Sequence, residues 1–274
     1  MSPAKAPSIA AVLASSAVSE CRKAIRSLSD SKDRHRGIHE ARKAIRRLKS
    51  LLVLGEEPFA EAMPSIEASL ANLAESLSSL RDAYVALHTG RTLAGPRPSP
   101  AWRHALERLE HRCEGRLAAA LHDDPGFLKR RRAIRELAAT LEGLPWRALR
   151  ERTIEEALER SEKRQAKARK RAKKNATPAN AHNWRRKTRR LRMQLELWRR
   201  IQKARGKTGH RHAQGRKERA HELSLLSDAL GTRQDLRALR TTLRSLREPE
   251  AMAPLLAHIG DELKKHRKNL HPRQ

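Results

Sequence analysis

Three features of this 274-residue sequence predict an all-helical fold. Long segments without Gly or Pro are rich in Ala, Leu, Arg and Lys, residues that lose little freedom on entering a helix. Within them apolar residues recur at three- and four-residue intervals, the period of a helix with one buried face. Alternating apolar and polar residues, the mark of a half-buried strand, are found nowhere along the chain. Aromatic residues make up only 3% of the sequence and apolar ones 38%, so the core must be built from Ala, Leu and Ile.

The first helix is expected over 7–28, with a turn at 29–32. A second runs through 38–52 and stops at Gly55, a C-terminal signal. A linker holding Pro58 and Pro64 leads into a third, which ends near Gly90. The segment GPRPSP at 95–100 is a rigid connector, and a fourth helix covers 102–122. The turn DDPG at 123–126 then divides the chain into halves of about 8–123 and 126–270. The second half opens with a helix at 127–141, and Pro145 starts a long charged one reaching about 174. Its last part, KRQAKARKRAKK at 163–174, has no apolar stripe beyond alanine and reads as a projecting helix end or a flexible basic segment. Pro178 precedes the next helix, and 206–215 is a polar loop. Helix resumes at Arg216, bends or breaks at Gly231, and closes with 254–268.

Cys21 and Cys113 lack metal-ligand or redox spacing, so both are expected as buried free thiols in a reducing, cytoplasmic setting. The apolar stretch 9–18 is short and broken by serines, which suits a first helix better than a signal peptide. No run is long enough to cross a membrane.

The chain repeats one pattern. IHEARKAIRRLKSLL at 38–52 returns as AHNWRRKTRRLRMQL at 181–195, pairing His39 with His182, Arg42 with Arg185 and Arg46 with Arg189. Arg47 likewise meets Arg190, Leu48 meets Leu191, and Lys49 meets Arg192. At about 100° per residue, Ile38, Ala41, Ile45, Leu48 and Leu52 form a buried stripe. His39, Arg42, Arg46 and Lys49 fall in an arc of about 80° beside it. In the second copy Ala181, Trp184, Thr188, Leu191 and Leu195 face inward. A cationic row bordering the core is placed to face a neighbouring helix; one opposite the core is a solvated surface. Each row runs roughly 15 Å, and two of them suggest a long anion site with two walls.

Net charge supports that reading. Sixty-one Lys and Arg against 31 Asp and Glu give +30, far beyond what solubility needs, and imply a polyanionic partner. Arg42, Arg46, Arg185, Arg189 and Arg192 would carry most of the binding, because a guanidinium fork donates to two phosphate oxygens at once. Lys49 adds a point charge, and Lys43 and Arg186 on the next arc make an outer wall. The plain role for His39 and His182 is structural. Heading a cationic row, each is also placed to meet phosphate, and binding would then take up protons.

Here the chain resembles the CHAD domain, named for histidines in an all-helical module. The resemblance rests on the two H-x-x-R-x-x-x-R-R-L-(R/K) helices and on the later segments LSSLRD at 77–82 and LGTRQD at 230–235. It spans roughly residues 8–270. It implies one domain of two pseudo-symmetric antiparallel helical bundles, of about four to five helices each, around a central basic groove or pore that binds inorganic polyphosphate. Ser78 stands where the second copy has Gly231, and Ser224 and Ser227 replace basic or amide residues, losses expected to weaken the rim.

Asp82 and Asp235 lack the acidic partners that catalysis would want, so they are expected to support basic-row side chains structurally. No phosphate-cradling Gly-rich loop and no Glu-x-Glu-x-Lys pattern is found, so the expectation is a non-enzymatic module without cofactor. His210, His212 and His221 have no further ligands nearby, so no metal is expected. The alternative partner is nucleic acid, although recognition motifs are missing and one Tyr, two Phe and four Trp are few for base stacking. Binding proteins of polyphosphate granules are a further expected partner, with 163–174 as the handle. In a eukaryotic cell that run also reads as a nuclear or nucleolar address.

Overall fold

The computed structural model describes residues 7–206 and 211–270, with side chains except at 211–213 and 267–270. Ten α-helices and three short 3-10 turns occur among the described residues, with no strand among them. The helices are α1 (Ile9–Ser29), α2 (Arg34–Leu52), α3 (Met63–Ser76), α4 (Ser78–Ala94) and α5 (Pro100–Asp123). They continue as α6 (Leu128–Glu142), α7 (Glu151–Lys174), α8 (Pro178–Ala204), α9 (Arg211–Arg244) and α10 (Pro249–Leu270).

Local chemistry starts them. The side chains of Ser8, Asp33, Ser99 and Thr177 accept from backbone N–H groups three residues on, capping α1, α2, α5 and α8. Pro100 and Pro178 occupy the first turn, where no donor is lost. At the DDPG turn Gly126 takes φ 59°, a conformation that costs glycine little.

The chain divides into two compact units, each built from two stretches of sequence. The first unit takes the chain up to Ala74 together with Leu128–Ser227, and the second takes Glu75–Phe127 with the chain from Asp228 onward. Both repeated helices, α2 and α8, therefore belong to the first unit.

In the first unit α1 packs on α2 and α6, α7 on α8, and α2 on α8. Gly37 lets α1 and α2 approach closely, since a Cβ there would lie 2.2 Å from the Ser27 carbonyl oxygen. The expected stripe on α2 is buried throughout, and on α8 Trp184, Thr188, Leu191 and Leu195 are buried. Phe59 packs edge-on to Trp146 with ring centroids 4.9 Å apart. The second unit centres on Leu87, Trp102, Leu109, Leu239, Leu243, Met252 and Ile259.

Three expectations need correction. The helix expected from 64 to 90 is two, broken at Leu77 between α3 and α4. Gly231 does not break α9, which is one helix of 34 residues. Residues 163–174, which lacked an apolar stripe beyond alanine, are packed as the end of α7, with Gln165, Ala168 and Ala172 buried and the Gln165 amide donating to the Thr188 hydroxyl at 3.2 Å.

Candidate anion site

Helical period places Arg42, Arg46 and Lys49 on the flank of α2 that borders its buried stripe, and all three are half-buried. Arg185, Arg189 and Arg192 are half-buried on α8 in the same way. His39, His182 and Arg186 are exposed, and Lys43 is half-buried. A buried polar seam fixes how the two helices meet. The Gln194 amide donates to the Ser50 carbonyl at 3.0 Å, and the Met193 sulfur lies 3.6 Å from the Ser50 hydroxyl.

Lys49 shows which charges this packing gathers. Burial, then the nearby Arg190, Arg42 and Arg186, pull its ammonium below the usual lysine range, with Glu67 of α3 working the other way. Arg190 is lowered by burial first, then by Arg186 and Arg164, against Glu67 and Glu56. Lys187 is lowered by burial, then by Arg190, Arg186 and Arg164. Arg42 and Lys49 of α2, Arg186, Lys187 and Arg190 of α8, and Arg164 of α7 thus form one cluster of like charge. Arg164 reaches Glu56 at 2.9 Å, and Arg160, one turn earlier on α7, reaches Glu57 at 3.3 Å.

Several members of the expected rows, Arg42 and Arg186 of the cluster among them, also bond within the fold. Arg42 donates to the carbonyl of Ala74, in the last turn of α3 at the negative end of its dipole. Arg192 donates to the Ser224 hydroxyl of α9 at 3.0 Å and lies 3.8 Å from Glu196. Ser224, expected as a loss at the rim, is therefore an acceptor that aims Arg192. Lys43 pairs along its own helix with Glu40 at 3.3 Å, and Arg186 donates to the Asn183 side chain at 3.2 Å.

Within the second unit Asp82 and Asp235, expected as structural supports, both meet Arg81, at 2.9 Å and 3.3 Å respectively. That unit has a basic face of its own, where burial and then Arg233 and Arg240 lower Arg237. Among the described residues no group of three His, Cys, Asp or Glu is placed to hold a metal. His210 and the side chain of His212 lie outside the described residues, and His221 is exposed. No helix among the described residues is long and apolar enough to cross a membrane.

Arg164, Lys187 and Arg190 join the cluster from outside the rows that helical period marks. Arg190 stood in the aligned repeat, and its signal was the burial that a helix packed between α2 and α7 imposes on it. Chemically the cluster can take a string of anionic groups: planar Arg forks for paired oxygens, and lysines as mobile point charges.

The CHAD domain profile matches residues 13–244. The crystal structure of the CHAD domain from the plant Ricinus communis matches with a TM-score of 0.67 at 18% identity, covering 100% of this chain and 98% of that one. Among curated proteins no match is found.

Proposed function

We propose, from the premise that the chain belongs to the CHAD domain family, that its first unit binds inorganic polyphosphate without catalysis. One observation carries this reading: α2, α7 and α8 gather six cations, and burial together with the neighbouring cations disfavours the charged form of three of them, Lys49, Lys187 and Arg190. Such an arrangement costs folding free energy unless an anion is present to reverse the sign. A phosphate polymer is the fitting counterpart, because it repeats charge along a flexible chain and offers neither base nor sugar edges for recognition. Neutralising several of its charges releases bound counterions, which makes the affinity fall steeply with salt. Recruitment to polyphosphate granules is the cellular role this chemistry supports.

The test is a titration with phosphate chains of graded length at two salt concentrations. Affinity should rise with length until the cluster is spanned and should fall at higher salt. Joint replacement of Lys49, Arg186 and Arg190 by Gln should lower affinity by at least tenfold while the far-ultraviolet spectrum stays helical. Arg42 is a poor first target, because its substitution also removes the bond to Ala74. Equal binding by the triple variant would sink the proposal. Excess duplex DNA or RNA should leave polyphosphate on the site; displacement would favour nucleic acid there instead.

A further inference from the structure

The outer face of α7 is a second basic surface that the cluster does not use. Lys163, Lys167, Lys170 and Lys174 are spaced four, three and four residues apart, which puts them within an arc of about 60°. Ser161, Gln165, Ala168 and Ala172, all buried, occupy the opposite side. The four lysines are exposed, and none pairs with a carboxylate among the described residues. From 163 to 174 eight of twelve residues are Lys or Arg and none is acidic. The Arg160 and Arg164 flank turns toward Glu57 and Glu56 instead. A ridge of about 16 Å is therefore exposed among the described residues, anchored behind by the Gln165–Thr188 bond.

We infer that this ridge binds the phosphate backbone of a nucleic-acid duplex, independently of sequence and of the anion site. Its shape decides against a flexible polymer. An exposed helix face must order such a chain at full entropic cost, whereas a duplex is stiff over about 150 base pairs and presents its phosphates already in rows. Side-chain type decides the rest. Lysine is a point charge without bidentate geometry, and the arc holds no Asn or Gln to read base edges. A lipid surface is disfavoured because the stretch has no Trp, Phe or Leu to insert. DNA and RNA share the recognised chemistry.

Anisotropy of fluorescent DNA and RNA duplexes, titrated with the full chain at several salt concentrations, tests this. Four lysine–phosphate contacts give a salt slope of about −3.6 on logarithmic axes for DNA. Joint substitution of Lys163, Lys167, Lys170 and Lys174 by Gln should remove that slope and weaken duplex binding at low salt by at least tenfold. Polyphosphate affinity should stay within about twofold of the parent, since the contacts there are separate. The pair Lys167→Gln and Lys170→Gln should lose half the slope, which guards against a folding defect in the fourfold variant. Conversely, the Lys49, Arg186 and Arg190 variant should keep its duplex binding. Unchanged duplex affinity in the fourfold variant, loss of it in the anion-site variant, or binding to anionic vesicles in preference to duplex would each overturn the inference.

Discussion

Arg47 of α2 and Arg190 of α8 hold the same place in the repeated pattern, yet their side chains meet opposite surroundings. Arg47 turns to α1, where it lies 3.8 Å from Glu20, whose side chain is only 6% exposed. Arg190 turns to Arg186 and Arg164 and shares the neighbourhood of Lys49. The row positions diverge too. Lys49 sits among guanidinium groups, while its counterpart Arg192 is drawn to Ser224. A repeated sequence therefore repeats a helix and its buried face, and the neighbours decide which cations are left for a ligand. Of the two copies, α8 carries more of the cluster and α2 more of the scaffold.

The largest effect should separate those roles. Arg186→Glu with Arg190→Glu should weaken polyphosphate binding by about a hundredfold or more, since each charge-assisted contact is worth about 1.5–3 kcal/mol. Arg47→Glu should leave affinity within about twofold and instead lower stability by about 1–3 kcal/mol, as a buried acceptor loses its neighbour. Isothermal titration and urea unfolding distinguish the outcomes, and equal loss of affinity in both variants would erase the comparison.

Next comes the seam between the copies. Gln194→Ala should cost about 1–3 kcal/mol in urea unfolding, because the Ser50 carbonyl is left without its buried donor.

A smaller effect concerns pH. Lys49 is held below the usual lysine range in the empty protein, and a bound polyanion raises it again. Binding thus takes up a proton wherever the empty site has lost it. Affinity is full below the empty-state value and declines as pH rises through the window between the empty and bound values. Lys49→Arg should flatten the profile in that window, and a parent protein with flat affinity there would refute the assignment. For the empty protein the sign runs the other way: a lysine more readily deprotonated when folded makes stability rise with pH through its folded value.

The smallest effect should come from the acids. Glu56→Gln with Glu67→Gln removes the two carboxylates that partly offset the cluster, and should tighten polyphosphate binding by about two- to fivefold, as befits exposed charges. Weaker binding in this variant would show that the acids organise the cations rather than oppose the ligand.

Much of this was legible in the sequence because it is local. The period of Ile38, Ala41, Ile45, Leu48 and Leu52 depends on nothing but the helix they share, and all five are buried. The break at Leu77 was not legible, since LSSL carries neither Pro nor Gly and resembles the helix on either side. Gly231 misled in the other direction: it is buried, and unbroken hydrogen bonding on both sides outweighs its cost of about 1 kcal/mol. Alanine and one glutamine were enough to dock 163–174, because α8 offers Thr188 as a partner. Arg164 joins the site only through that docking, which no helical wheel of α7 alone displays.

The two cysteines fall one to each unit, and both are buried. Burial, with Glu20 adjacent, pushes the Cys21 thiol up to about 12, and burial raises Cys113 as well. Alkylation consumes the thiolate, so a reagent in solution must wait for local opening before either sulfur reacts. The protein thus contains two natural clocks, each timing the breathing of its own unit. Polyphosphate seated on α2 and α8 should slow the first and leave the second running at its former rate, a readout that needs neither mutation nor added dye.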